Sequence, residues 1–349
     1  MAFTTVNKST NFYNTKLYTG TGSSLALTGV GFEPDLVWVK NRSSSGEQSV
    51  FDQVRGVNKR IRPNTDGAET TAANSVTSFD SDGFTVVSHA DTNTNGDNFV
   101  SFNWNAGTTS GLSGGTITPS AYSINTTSKF GIYKYSGTGS NGTIAHGLGA
   151  TPTFMIFKKT TGSQGWHVYH KGMGATHEIY MNSTAVQNDV DTAFNDTAPT
   201  DTVFTIGTSN GMNSSGEDYI AYVYCNVAGY QKAGTFEGNG NAFPNSPFIY
   251  LGFKPKLFLW KNIDAGNSDD NWNMINAEAQ EYNAQDKGYL MANSNGAETG
   301  YSGNSINFLS NGVKLNVSSA YHNSSGETYI YYAVGQTIVG TNNIPATGR

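Results

Sequence analysis

The phrase GFEPDLVWVK at 31–40 returns as GATPTFMIFK at 149–158 and again as GFKPKLFLWK at 252–261. Every copy keeps glycine three residues before proline and lysine six after it: Gly31, Pro34, Lys40, then Gly149, Pro152, Lys158, then Gly252, Pro255, Lys261. A unit written three times makes a chain of repeated modules the frame for everything else. Two further markers recur in the same order. A glycine pair one residue apart precedes each phrase, in KLYTGTG, YKYSGTG and GTFEGNG, and a strand-like run follows Gly96 (NFVSFNW), Gly216 (DYIAYVY) and Gly326 (TYIYYAV). Copies one and three also share NTDGAET at 64–70 with NSNGAET at 293–299, and FDSDGFTV at 79–86 with FLSNGVKL at 308–315.

Helix signals are nearly absent, since Gly, Asn and β-branched clusters interrupt almost every window. The one helix-like stretch is 273–285, NMINAEAQEYNAQ. Short apolar or alternating runs bounded by Gly, Asn, Asp and Ser predict an all-β chain of tandem β-sandwich modules, jelly-roll or lectin-like, with very little helix. Four consecutive apolar residues in each phrase (Leu36 to Val39, Phe154 to Phe157, Leu257 to Trp260) place large side chains on both pleat faces, which predicts a central strand covered on both sides. Lysine then reads as the exit to solvent. In the closing strand of the first copy, Val100, Phe102 and Trp104 alternate with Phe99, Ser101 and Asn103, which suggests one wet face.

Boundaries follow from composition. The expected layout is an N-terminal extension (1–12), a first sandwich (13–107), a Gly/Ser/Thr linker (108–128), a second sandwich (129–228), a third (229–335) and a C-terminal extension (336–349). No spacer separates copies two and three, so those two are expected to pack closely.

Charged residues make up only 13 % and the net charge is −6, with no basic stripe, which argues against a nucleic-acid partner. A hydrophobic fraction of 36 % excludes a disordered chain. The single cysteine, Cys225, lies in an apolar run and reads as a small buried hydrophobe. No apolar stretch is long enough to span a membrane, and MAFTTVNKST lacks the layout of a signal peptide, so a soluble product without membrane insertion is expected.

Motifs for chemistry are weak. GTGSNG at 137–142 matches GxGxxG but no helix follows it, and GLSGG at 111–115 lacks the elbow that activates a serine. His167 and His170 are three apart and point to opposite faces of a strand, so no metal site is expected from them with His177. Asp80 and Asp82 read as a turn and not as a calcium loop. Carboxylate pairs for glycoside hydrolysis are not indicated, and neither catalytic residues nor a cofactor is assigned. Aromatics in polar, turn-rich segments, namely Trp166, Trp272, Tyr180, Tyr282 and Tyr301, are the candidates for stacking on sugar rings.

Taken together, GFEPDLVWVKNR, NTDGAET, FDSDGFTV and NFVSFNWNAG resemble a repeat module common in structural proteins of marine phages, cyanophages especially. The likeness extends over MAFTTVNKSTNFYNTKLYTGTG and the run from Gly165 to Thr184. It implies concanavalin A-like or laminin-G-like sandwiches in a tail-fibre or virion surface protein, and it transfers no functional residues. On this basis the expectation is a non-enzymatic virion protein, displayed on the particle exterior as a compact knob, capsid decoration or tail-attached adhesion component. It is expected to bind other virion proteins and to self-associate, as a trimer for instance. A host-glycan receptor module is the alternative, and a polysaccharide depolymerase a third.

Overall fold

Each run of four apolar residues is divided between two cores. In the computed structural model, which describes residues 4–268, 270–279, 288–300 and 306–336, strands Leu36–Asn41, Pro152–Lys159 and Lys254–Asn262 each lie inside a larger sheet. Their antiparallel neighbours are Asn98–Trp104 and Ser49–Asp52, then Asp218–Cys225 and Trp166–His170, then Thr328–Gln336 and Asn273–Asn276. The strands entered from Gly31, Gly149 and Gly252 follow left-handed glycines, with φ of 94°, 63° and 84°, a conformation a side chain would strain.

The protein is all-β, built of sandwiches. A smaller sheet covers one face of each larger one: Leu25–Leu27 with Val76–Asp80 and Gly83–Val86, then Gly142–Ala145 with Val203–Ile206, then Phe248–Tyr250 with Ile306–Leu309 and Gly312–Leu315. Val37, Val39 and Phe51 fill the first sandwich, Met155 and Phe157 the middle one, and Phe258 and Trp260 the last. The alternate residues point the other way. Leu36 and Trp38, Phe154 and Ile156, and Leu257 and Leu259 meet in one central core to which all three sandwiches contribute. Burying a side chain of this size contributes about 1.5–3 kcal/mol, so the shared core is a main source of stability.

Several expectations are corrected by the structure. Lys40, Lys158 and Lys261 do not lead to solvent; all three are fully buried. Lys40 Nζ donates to the Ser294 and Gly296 carbonyls (3.0 and 2.9 Å), Lys158 Nζ to the Asp66 carbonyl (3.2 Å), and Lys261 Nζ to the Thr184 carbonyl (3.0 Å). First reaches last, middle reaches first, last reaches middle. Backbone bonds follow the same cycle, with the amides of Glu298, Glu69 and Gln187 donating to the carbonyls of Arg42, Thr160 and Ile263 (3.0, 2.9 and 3.3 Å). Burial lowers each ammonium to about 8, and the neighbour's carbonyls replace the water it gives up. Nor is any face of Asn98–Trp104 wet beyond its first residue: Ser101 and Asn103 are fully buried, and Asn103 Nδ2 donates to Asn14 O and Ser101 Oγ, both at 3.0 Å.

The stretch 108–128 is not a free linker. Ala121–Asn125 pairs with Phe130–Ser136 at the edge of the middle sheet, and Ile117 and Ile124 are buried in that sandwich's core. The N-terminal segment also belongs to the body, because Val6 is buried in the central core. Beyond Gln336 the expected C-terminal extension lies outside the described residues. Within 273–285, Asn273–Asn276 is a strand, and the part from 280 onward is not described.

Single helical turns precede the three closing strands, at Ala90–Asn93, Asn210–Asn213 and Ala320–Asn323. Asn93, Asn213 and Asn323 are buried, and each side-chain oxygen accepts the amide of Thr21, Thr138 or Asn239 at 2.8 Å. That bond ties each glycine-pair turn to the helical turn that leads into its closing strand, which accounts for both markers recurring in step.

Candidate functional site

Two of the rings chosen from sequence, Trp166 and Trp272, are not where sugar could reach them. Trp166 and Trp272 are buried in the central core. Their indole N–H groups donate across sandwich boundaries, Trp166 Nε1 to Arg62 O and Thr65 O (3.0 and 3.1 Å) and Trp272 Nε1 to Tyr180 O (2.9 Å). Both are internal packing residues because the neighbouring sandwich's loop covers them. Tyr180 is half-buried, its hydroxyl donating to Glu178 Oε1 (2.8 Å), and its ring stands edge-on to His167 at 4.9 Å. Burial, then the charge of Glu178, raises its pKa. Tyr282 and Tyr301 lie outside the described residues.

His167 and His170 face opposite ways, as their spacing requires. His167 Nδ1 contacts Glu178 Oε2 at 2.5 Å beneath the Asn210–Asn213 turn, where a Cβ on Gly211 would sit 1.8 Å from His167 Nε2. That close seal makes the His167–Glu178 pair a buried strut, with the half-buried Tyr180 bonded to its edge. Among the described residues no three His, Cys, Asp or Glu side chains gather as a metal site. Cys225 donates to Ala150 O (3.1 Å), and burial pushes its thiol up to about 12.

His170 faces the last sandwich. Its Nδ1 accepts the Gly172 amide (3.0 Å), so Nε2 carries the proton it offers to Tyr331 O (3.1 Å). Burial holds this imidazole down to about 4, and His322 likewise. Between pH 6.5 and 4 the unfolded chain binds protons at these positions that the folded chain refuses, so stability falls as pH drops through that window. For His170 the shift corresponds to roughly 3 kcal/mol. Urea titrations at pH 7 and pH 4 should show a smaller acid loss in His170→Asn, which installs the residue found at the equivalent Asn276; an unchanged loss would contradict this account.

The exposed aromatic surface is elsewhere. Phe243, Phe248 and Tyr250 are 63 %, 45 % and 55 % exposed, and all belong to the last sandwich. Phe248 and Tyr250 are two apart on the outer strand of the small sheet, so both rings face outward while Ile249 between them fills the core. Gly312 pairs with Tyr250, and a Cβ there would lie 2.9 Å from the Phe248 ring. The missing side chain lets that ring lie across the strand beside Tyr250. Lys314, opposite Phe248, donates to Pro244 O (2.9 Å) and Ser246 O, pinning the loop that carries Phe243. Lys232 Nζ donates to Tyr250 O (2.7 Å) and lies 5.5 Å from the centre of the Tyr250 ring.

Sequence reasoning missed this platform because it lies where the third copy departs from the other two. The segment from Gly240 to Gly252 is longer than Gly22 to Gly31 or Gly139 to Gly149, and it holds three aromatics and two prolines. A domain-of-unknown-function model, DUF7483, matches residues 8–337. The chain belongs to the DUF7483 family. A single match running from the buried N-terminal segment to the last strand takes in all three sandwiches and the contacts that join them, so in this DUF7483 chain the interlocked body is the unit matched. No curated protein and no solved structure matches the chain.

Proposed function

We propose that this DUF7483 chain is a non-enzymatic structural protein displayed on the outside of a bacteriophage particle. The supporting observation is the cyclic interlock, in which Lys40, Lys158 and Lys261 each reach into a neighbouring sandwich over one shared core. One chain thereby acquires the shape complementarity of a trimer without needing further copies to cover its module faces. A weakly charged polar surface and the repeat resemblance point the same way, to a rigid knob or decoration held by other virion proteins. Mass spectrometry of purified particles tests it: the protein should be present in fixed ratio to the major capsid protein. Recovery only from the soluble fraction of infected cells would overturn the reading.

A second reading, saccharide recognition during host attachment, is favoured by the exposed Phe243, Phe248 and Tyr250. Paired rings on a fixed strand offer flat apolar faces to the C–H face of a pyranose at little entropic cost, since an aromatic side chain has only two rotatable bonds to order. Glycan-array binding by the purified chain, reduced at least tenfold in Tyr250→Ala, is the expected result. Binding unaffected by that substitution would remove the platform from consideration.

A further inference from the structure

The aromatic platform is bordered by positive charge. Lys232 stands on the outermost strand of the last large sheet, Gln231–Glu237, and its ammonium reaches across to the Tyr250 carbonyl and ring. Lys171 approaches from the middle sandwich, close enough for its charge to add to burial in lowering the Lys232 pKa. The loop carrying Lys171 is seated firmly: a Cβ on Gly172 would come within 2.3 Å of Thr235 Cγ2 on the Lys232 strand. Lys314 marks the other end of the platform. Neither Lys171, Lys232 nor Lys314 forms an ion pair with another described residue, although Lys59, Lys134, Lys159 and Lys256 all do.

In a chain of net charge −6, cations without carboxylate partners beside two exposed rings make a patch opposite in sign to the whole. An ammonium has three N–H donors, and Lys232 gives one to Tyr250 O. The others make no hydrogen bond to a described residue, which leaves them for an acceptor from outside. Building on the saccharide reading above, we infer that this edge binds an acidic saccharide: Phe248 and Tyr250 stack on the pyranose face while Lys232 and Lys171 hold its carboxylate or sulfate. The site spans the boundary between the middle and last sandwiches and therefore exists only in the assembled chain. Charge-assisted bonds of this kind are roughly twice as strong as neutral ones, and they decide between saccharides that stack equally well.

Calorimetry on the intact chain tests this with three probes: maltohexaose as a neutral oligosaccharide, oligogalacturonate, and a sulfated heparin hexasaccharide. At least one acidic probe should bind tenfold or more tighter than maltohexaose and weaken with added salt. Lys171→Gln/Lys232→Gln should abolish that preference without shifting the melting temperature, and Tyr250→Ala should remove binding of every probe. Equal affinity for neutral and acidic probes, or an acid preference that survives the double substitution, would overturn the inference while leaving the saccharide reading in place. Binding of no probe would overturn both. Self-association in sedimentation that Tyr250→Ala abolishes would assign the patch to a second copy of the chain, whose net negative charge suits the lysines, and would also overturn the inference.

Discussion

Trp272→Ala should cost about 3–5 kcal/mol of unfolding free energy, and Trp166→Ala a similar amount, because each removes a large ring from a close-packed core and leaves a cavity. Each also takes an indole donor from the neighbouring sandwich's carbonyls: Tyr180 O in the first case, Arg62 O and Thr65 O in the second, although Tyr180 O keeps the Ser183 amide and Arg62 O the Thr65 amide. The first sandwich solves the same problem differently. Gln48 stands at the equivalent place, its amide donating to Met291 O and Ala292 O (both 2.8 Å) and Ser294 O (3.0 Å), while its oxygen accepts Trp38 Nε1 (2.8 Å). Trp38 supplies there the bulk that Ile156 and Leu259 do not. Gln48→Ala should therefore cost less, about 1–3 kcal/mol, since it breaks hydrogen bonds but opens a smaller void. Denaturant melts of the three variants check the order. If the tryptophan variants lost saccharide binding while their melts stayed unchanged, these rings would be ligand contacts and the core assignment would fail.

Strand positions were legible in the sequence because alternation is a local property. Leu36 to Val39 announce two buried faces by themselves, and the structure supplies a core for each. What could not be read from one copy is what another copy presses against it. A lysine after an apolar run ordinarily extends to water; Lys40 meets instead the carbonyls of Ser294 and Gly296, more than 250 residues along the chain. Trp166 and Trp272 misled for the same reason, since the polar turns around them are covered by the neighbouring sandwich. The opposite error hid Phe248 and Tyr250. A search for what recurs passes over the place where one copy differs, and there a module freed from the common pattern carries exposed rings.

Arg55→Met should be as damaging as either tryptophan change, at about 3–5 kcal/mol, for an electrostatic reason. Arg55 and Asp52 are both buried, with Nε 2.6 Å from Oδ2, and Arg55 Nη1 reaches Glu69 at 3.2 Å. Across the boundary, the Tyr222 hydroxyl of the middle sandwich donates to the same Asp52 Oδ2 at 2.7 Å. Removing the guanidinium leaves a carboxylate in the interior with only that hydroxyl and the residue 55 amide, and takes a donor from Val50 O. Most of the loss is the cost of a stranded charge, so neutralising the partner should restore much of it. Asp52→Asn is the natural choice, because Asn276 already occupies that register in the last sandwich, opposite Leu257 as Asp52 is opposite Leu36. The double variant Arg55→Met/Asp52→Asn should thus be more stable than Arg55→Met alone, with a coupling of at least 1 kcal/mol in a double-mutant cycle. Strict additivity would mean that Asp52 is not strained by the loss, and that the Arg55–Asp52 pair adds nothing to the seam between the first and middle sandwiches beyond its packing and its other hydrogen bonds.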